Sequence, residues 1–226
     1  MNDKIKCMLT VVVVLVLVGG IMMGQQFKMI ELNVSLPKAL LEGTPKDIKN
    51  TNLDPVNKGK KRSPFFVPED TILLSVKKTV TSSDSFPVNG SLDLVADGDK
   101  ESVEGSYVEL GPGKQWIQMD LGVTCNIHAM LVWHFHSMAQ VYRDVVVQVA
   151  DDADFITNVR TVFNNDNDNS SGLGGGKDYE YIETNEGKLV AVRGEKARFV
   201  RFYSNGSTAG EMNRYIEVEV YGSAAR

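Results

Sequence analysis

Beyond Thr71 the chain alternates apolar and polar residues with period two in one short run after another, and no stretch long enough for a core helix repeats every 3.6 residues. Ile117, Met119 and Leu121 oppose Trp116, Gln118 and Asp120; Val145, Val147 and Val149 oppose Asp144, Val146 and Gln148; Ile216, Val218 and Val220 oppose Glu217, Glu219 and Tyr221. Strand side chains point alternately to the two faces of a sheet, so each run can bury one face. Further candidate strands are 72–76, 127–135, 159–163, 179–184 and 197–203. About eight short strands, separated by Gly, Asn, Asp and Ser, predict an all-β sandwich or jelly roll over residues 71–226.

The rest of the chain reads differently. Residues 7–24 form an apolar run whose only polar side chain is Thr10, and Lys4 and Lys6 precede it. As a helix the run is about 27 Å long, close to the hydrocarbon thickness of about 30 Å, and the preceding lysines favour a cytoplasmic N-terminus. Residues 1–24 are expected to be a single-pass membrane anchor, with a cleaved signal sequence as the competing reading. Either way the domain lies on the periplasmic or extracellular side. Residues 25–70, punctuated by Pro37, Pro45, Pro55, Pro64 and Pro68, read as an extended tether. The basic cluster 58–62 within it reads as a solvated linker patch or a site of attraction to anionic lipid or acidic polymer.

Composition excludes several functions. With 226 residues and 42% hydrophobic content there is room for one sizeable core. A net charge of −5 supplies no basic field for nucleic acid. Cys125 is the only cysteine beyond the N-terminal run, so the domain has no internal disulfide and Cys125 reads as a small buried residue. There is no Gly-x-Ser-x-Gly elbow and no phosphate loop, and carboxylate pairs such as Glu217 with Glu219 are common in acidic β-proteins. No catalytic residue is assigned and the chain is read as no enzyme.

Two acidic segments bear on metals. Asp97, Asp99 and Ser102 put oxygens on one turn bent at Gly98, and a carboxylate of the last strand can close a cage around a hard cation. Asp166, Asp168 and Ser170 have the odd spacing of a calcium loop, but Ser171 stands where an EF-hand needs glycine and Lys177 where it needs glutamate. That motif fails, and 164–176 is expected to be a long exposed loop. All three histidines, His128, His134 and His136, share one face on a strand; His134 and His136 are the start of a transition-metal site, or the three are partly buried or loop-edge side chains.

The ordered segments from Ser75 to Gly222 resemble the discoidin, or coagulation factor 5/8 type C, domain, a galactose-binding-like jelly roll shared with many bacterial carbohydrate-binding modules. The resemblance rests on 80–83, on 96–99, on Trp116-Ile117-Gln118-Met119-Asp120-Leu121-Gly122, on 144–151, on Ala197-Arg198-Phe199-Val200-Arg201-Phe202 and on 216–222. It implies a structural calcium ion at Asp97, Asp99, Ser102 and Glu217, and attachment to glycans, lipids or proteins without catalysis. No cysteine pair brackets the domain, which favours the bacterial type. A glycan or cell-envelope polymer would then be held at the jelly-roll rim, by stretches 137–142 and 205–214, with His134, His136, Arg143, Asn213 and Arg214 as candidate contacts. The alternative is a structural subunit of a membrane-associated protein complex with no glycan ligand.

Overall fold

The computed structural model describes residues 28–41, 48–55 and 61–225. The expected anchor 1–24 lies outside these residues, and among the described residues no helix is long and apolar enough to cross a membrane. The chain runs β1 (Met29–Glu31), β2 (Phe66–Pro68), β3 (Ile72–Leu73), β4 (Val80–Ser82), a 3-10 turn (Leu92–Ala96), β5 (Val108–Leu110), β6 (Gln115–His134), β7 (Val146–Ala150), β8 (Arg160–Asn164), β9 (Lys188–Ser204) and β10 (Asn213–Ala224).

Two long antiparallel strands, β6 and β9, run through both layers of a sandwich. The first half of β6 pairs with β4 over Ile117–Met119, and its second half pairs with β10 from Cys125 to His134. The second half of β9 pairs with β7 and, through it, with β8. Between the layers the β6–β9 register breaks after Asp120 and resumes at Cys125. Gly122 sits in this break at φ +87, a conformation that side-chain-bearing residues adopt at a cost.

The period-two pattern decides what is buried. Ile117, Met119, Met130, Val132, Val147, Val149, Val200, Phe202, Val218 and Val220 fill the interlayer core. Each such side chain contributes about 1.5–3 kcal/mol when fully removed from water. The expected strand 179–184 is instead an irregular connection, and the strand expected at 197–203 begins earlier, at Lys188.

The back layer is apolar on its outer face too. Ala129, Leu131, Trp133, Ile216 and Tyr221 form a second cluster there, with Leu32, Val34 and Phe65 packed against it. These last three come from the stretch expected to be an extended tether. In its described parts β1 pairs with β2, Leu32 N–H donates to Phe65 C=O at 2.8 Å, and Leu53 bridges to Glu180. Asn185 Nδ2 donates to Pro37 C=O at 2.9 Å, and Arg62 donates to the Glu186 carboxylate and carbonyl at 2.7 and 2.8 Å. The segment wraps the domain because Trp133 and its neighbours need a cover.

Candidate functional site

At one end of the sandwich several loops are tied together through the first residue of β10. Asn213 is fully buried: its Oδ1 accepts from Ser204 Oγ at 2.7 Å and Gly206 N–H at 2.8 Å, and its Nδ2 donates to Gly111 and Gly113 carbonyls at 2.8 and 2.9 Å. All four hydrogen-bonding capacities of the amide are used. From there the network spreads. Arg143 N–H donates to Gly206 C=O at 3.0 Å and Asn205 N–H to Arg143 C=O at 2.9 Å. Asp144 Oδ2 accepts from Asn205 Nδ2 at 2.7 Å and Ser170 Oγ at 2.8 Å. Gly111 N–H reaches Asp84 Oδ2 at 2.9 Å, and Lys114 Nζ reaches Ser171 C=O at 2.6 Å. Loops 83–90, 111–114, 137–144, 164–176 and 205–212 therefore form one continuous rim.

What the rim shows to solvent is mixed. Phe86 is 88% exposed, so its aromatic face is open to solvent on the rim. Arg143 and the stretch 208–211 are also exposed. Asp144, Asp166 and Asp168 bring carboxylate oxygens within 4.8 Å of one another. Burial raises the Asp166 carboxyl, but hydrogen bonds from the Ser171 hydroxyl and N–H and from Ser170 outweigh it and hold the group below its ordinary value.

Of the five expected ligand contacts, three are interior. His134 and His136 are buried, and Asn213 is the scaffold amide just described, so none of them can touch a solute at the rim. His134 continues the inward series of Met130 and Val132; its Nδ1 lies 2.6 Å from Glu183 Oε1 and its ring stacks on Tyr142 at 4.2 Å. His136 Nε2 lies 3.1 Å from Lys100 C=O. His128 does not share their face. Both ladders of β6 slip between Ile127 and Ala129, leaving His128 as the extra residue of a bulge, where burial pulls its pKa below the ordinary histidine value. Arg214 is ion-paired to Glu109 at 2.8 Å and flanked by the Tyr107 and Phe135 rings at 5.6 and 5.4 Å. Arg143 alone of the five is an open rim side chain. The sequence reading missed Phe86, whose signal is an aromatic residue set in the turn run Ser83-Asp84-Ser85-Phe86-Pro87.

The acidic turn and the last strand do meet: Gly98 N–H donates to Glu217 Oε2 at 3.1 Å. All four expected calcium ligands are engaged in hydrogen bonds within the chain. Ser102 Oγ is occupied by the His136 and Ser137 N–H groups at 2.8 and 2.9 Å. Asp97 and Asp99 are exposed, and each turns an oxygen back to cap the turn, at Asp99 N–H and Glu101 N–H. Burial, with Glu219 and Asp97 nearby, pushes Glu217 up to about 8 against the opposing Gly98 N–H and Lys100 ammonium.

No protein-family model and no curated protein matches the chain. Solved structures do. A family 89 glycoside hydrolase from Clostridium perfringens, in complex with GlcNAc-α-1,4-galactose, superposes with a TM-score of 0.51 at 18% identity over 68% of this chain. The present chain spans only 15% of that enzyme's length. At this identity the likeness shows the fold alone: the chain shares an antiparallel β-sandwich with part of that enzyme. A chitosan-binding module from a Paenibacillus chitosanase/glucanase is also similar, with a TM-score of 0.48 at 20% identity over 66% of this chain and 98% of its own. So is a fucose-binding module from Streptococcus pneumoniae, with a TM-score of 0.48 at 18% identity over 66% of this chain and 96% of its own.

Proposed function

We propose that this chain is a noncovalent binding module that recognises a carbohydrate or cell-envelope polymer at the five-loop rim, displayed beyond a membrane by its N-terminal segment. One observation carries the reading: loops from distant parts of the sequence are hydrogen-bonded through Asn213 into one surface that presents the exposed Phe86 ring and the Arg143 guanidinium. A sugar has apolar C–H faces and a polar hydroxyl edge, so it calls for an aromatic platform beside hydrogen-bond donors. A shallow rim of this kind binds weakly, and many copies on one surface supply avidity. The rival reading, a structural subunit docking through a flat apolar patch, draws less support from the Trp133 face, on which the chain's own Leu32, Val34 and Phe65 pack.

The test is retention of the full-length protein on a panel of immobilised envelope polysaccharides, beside the Phe86→Ala and Arg143→Ala variants. Wild type should be retained by at least one polymer, with each variant weakened about tenfold or more, the effect of losing a binding anchor. No retention on any polymer, with a protein partner recovered by crosslinking, would instead support the structural subunit.

A further inference from the structure

The corner where the 97–102 turn meets β10 already contains a cation supplied by the chain. Lys100 is only 9% exposed; its Nζ lies 2.7 Å from Glu219 Oε1 and 5.4 Å from the centroid of the Trp133 ring. Glu219 Oε2 accepts the Tyr221 hydroxyl at 2.8 Å, so both of its oxygens are engaged. Glu217 precedes Glu219 by two residues on the same face of β10, and the Gly98 N–H points at it from the same turn. The turn thus aims two electropositive groups, a backbone N–H and an ammonium, at the two buried carboxyl groups.

A divalent cation would need the opposite arrangement. Calcium takes six to eight oxygens, yet the Ser102 hydroxyl is turned to the 136–137 backbone and Asp97 and Asp99 each commit Oδ1 to a backbone N–H of their own turn. An ion drawn to Glu217 would also face the Lys100 ammonium across a poorly solvated corner, where like charges repel strongly. We propose that the Lys100 ammonium is the resident cation of this corner and that the domain folds without calcium. The lysine does by a side chain what the resemblance to discoidin domains assigns to a bound ion: it joins the turn to the last strand. This does not depend on what the rim binds.

The experiment is thermal unfolding of the full-length protein in millimolar calcium and in EDTA, with calcium content measured after desalting, for wild type, Lys100→Gln and Lys100→Arg. Wild type should melt at the same temperature in both solutions and retain no stoichiometric calcium. Lys100→Gln should melt several degrees lower, with Lys100→Arg recovering part of the loss. A rise of several degrees in wild-type melting temperature on adding calcium, stoichiometric calcium after desalting, or a Lys100→Gln variant as stable as wild type would each overturn the proposal. If Lys100→Gln does not fold, the wild-type comparison still decides.

Discussion

Glu217 binds its proton more tightly in the folded chain than in the unfolded one, because burial first, then the nearby Glu219 and Asp97, push it to about 8 from an ordinary 4.5. The sign follows from linkage: a carboxyl raised on folding contributes stability that is fully present below the unfolded value and is lost as pH climbs through the folded value. Urea unfolding between about pH 5 and pH 8 should show wild type losing up to about 1.4 kcal/mol per pH unit from this group. Glu217→Gln should remove that slope; an equal slope in the variant would contradict the assignment. At this scale legibility was uneven. Meeting of the Asp97 turn with Glu217 was implied by the resemblance to discoidin domains, whereas the part played by Lys100 was not, since nothing local says which way a long side chain turns. Asn213 reads as a ligand residue by its polarity, and only the fold shows its amide consumed by four internal partners.

Among the elements, alternation made the first half of β6, β7 and the 218–220 part of β10 legible, because each turns one face to the interlayer core; Ile216, expected beside Val218 and Val220, lies in the outer cluster because the β6–β10 register slips between Tyr215 and Glu217. The β-rich run Tyr179-Glu180-Tyr181-Ile182-Glu183-Thr184 misled, since it joins no sheet beyond the Leu53–Glu180 bridge. Alternation also failed at His128, since a bulge shifts the parity that places three histidines on one face. The β1–β2 ribbon was invisible because three-residue strands carry no period and prolines dominate the stretch. Its role is nevertheless testable. Leu32 and Phe65 half-bury themselves on a cluster that includes the fully buried Trp133. The double variant Leu32→Ala/Phe65→Ala should lose about 2–3 kcal/mol of unfolding free energy and shift Trp133 emission to the red. Unchanged stability and emission would show that the ribbon is dispensable.

At the scale of the whole molecule, the sandwich separates two tasks. The back layer is closed by the chain's own N-terminal wrap and by the Lys100 corner, while the opposite need, an open surface, is met where the loops gather around Asn213. The fold class was readable from the strand pattern, but the rim was not, because its members are loops scattered from residue 83 to 212 that only the topology assembles. The most direct measurement is amide chemical-shift mapping of the labelled protein titrated with the polysaccharide that retains it best. Shifts are expected to be confined to loops 83–90, 111–114, 137–144, 164–176 and 205–212, and absent in Phe86→Ala at the same ligand concentration. Shifts centred on the β1–β2 ribbon or the 97–102 turn, with the rim unmoved, would contradict it.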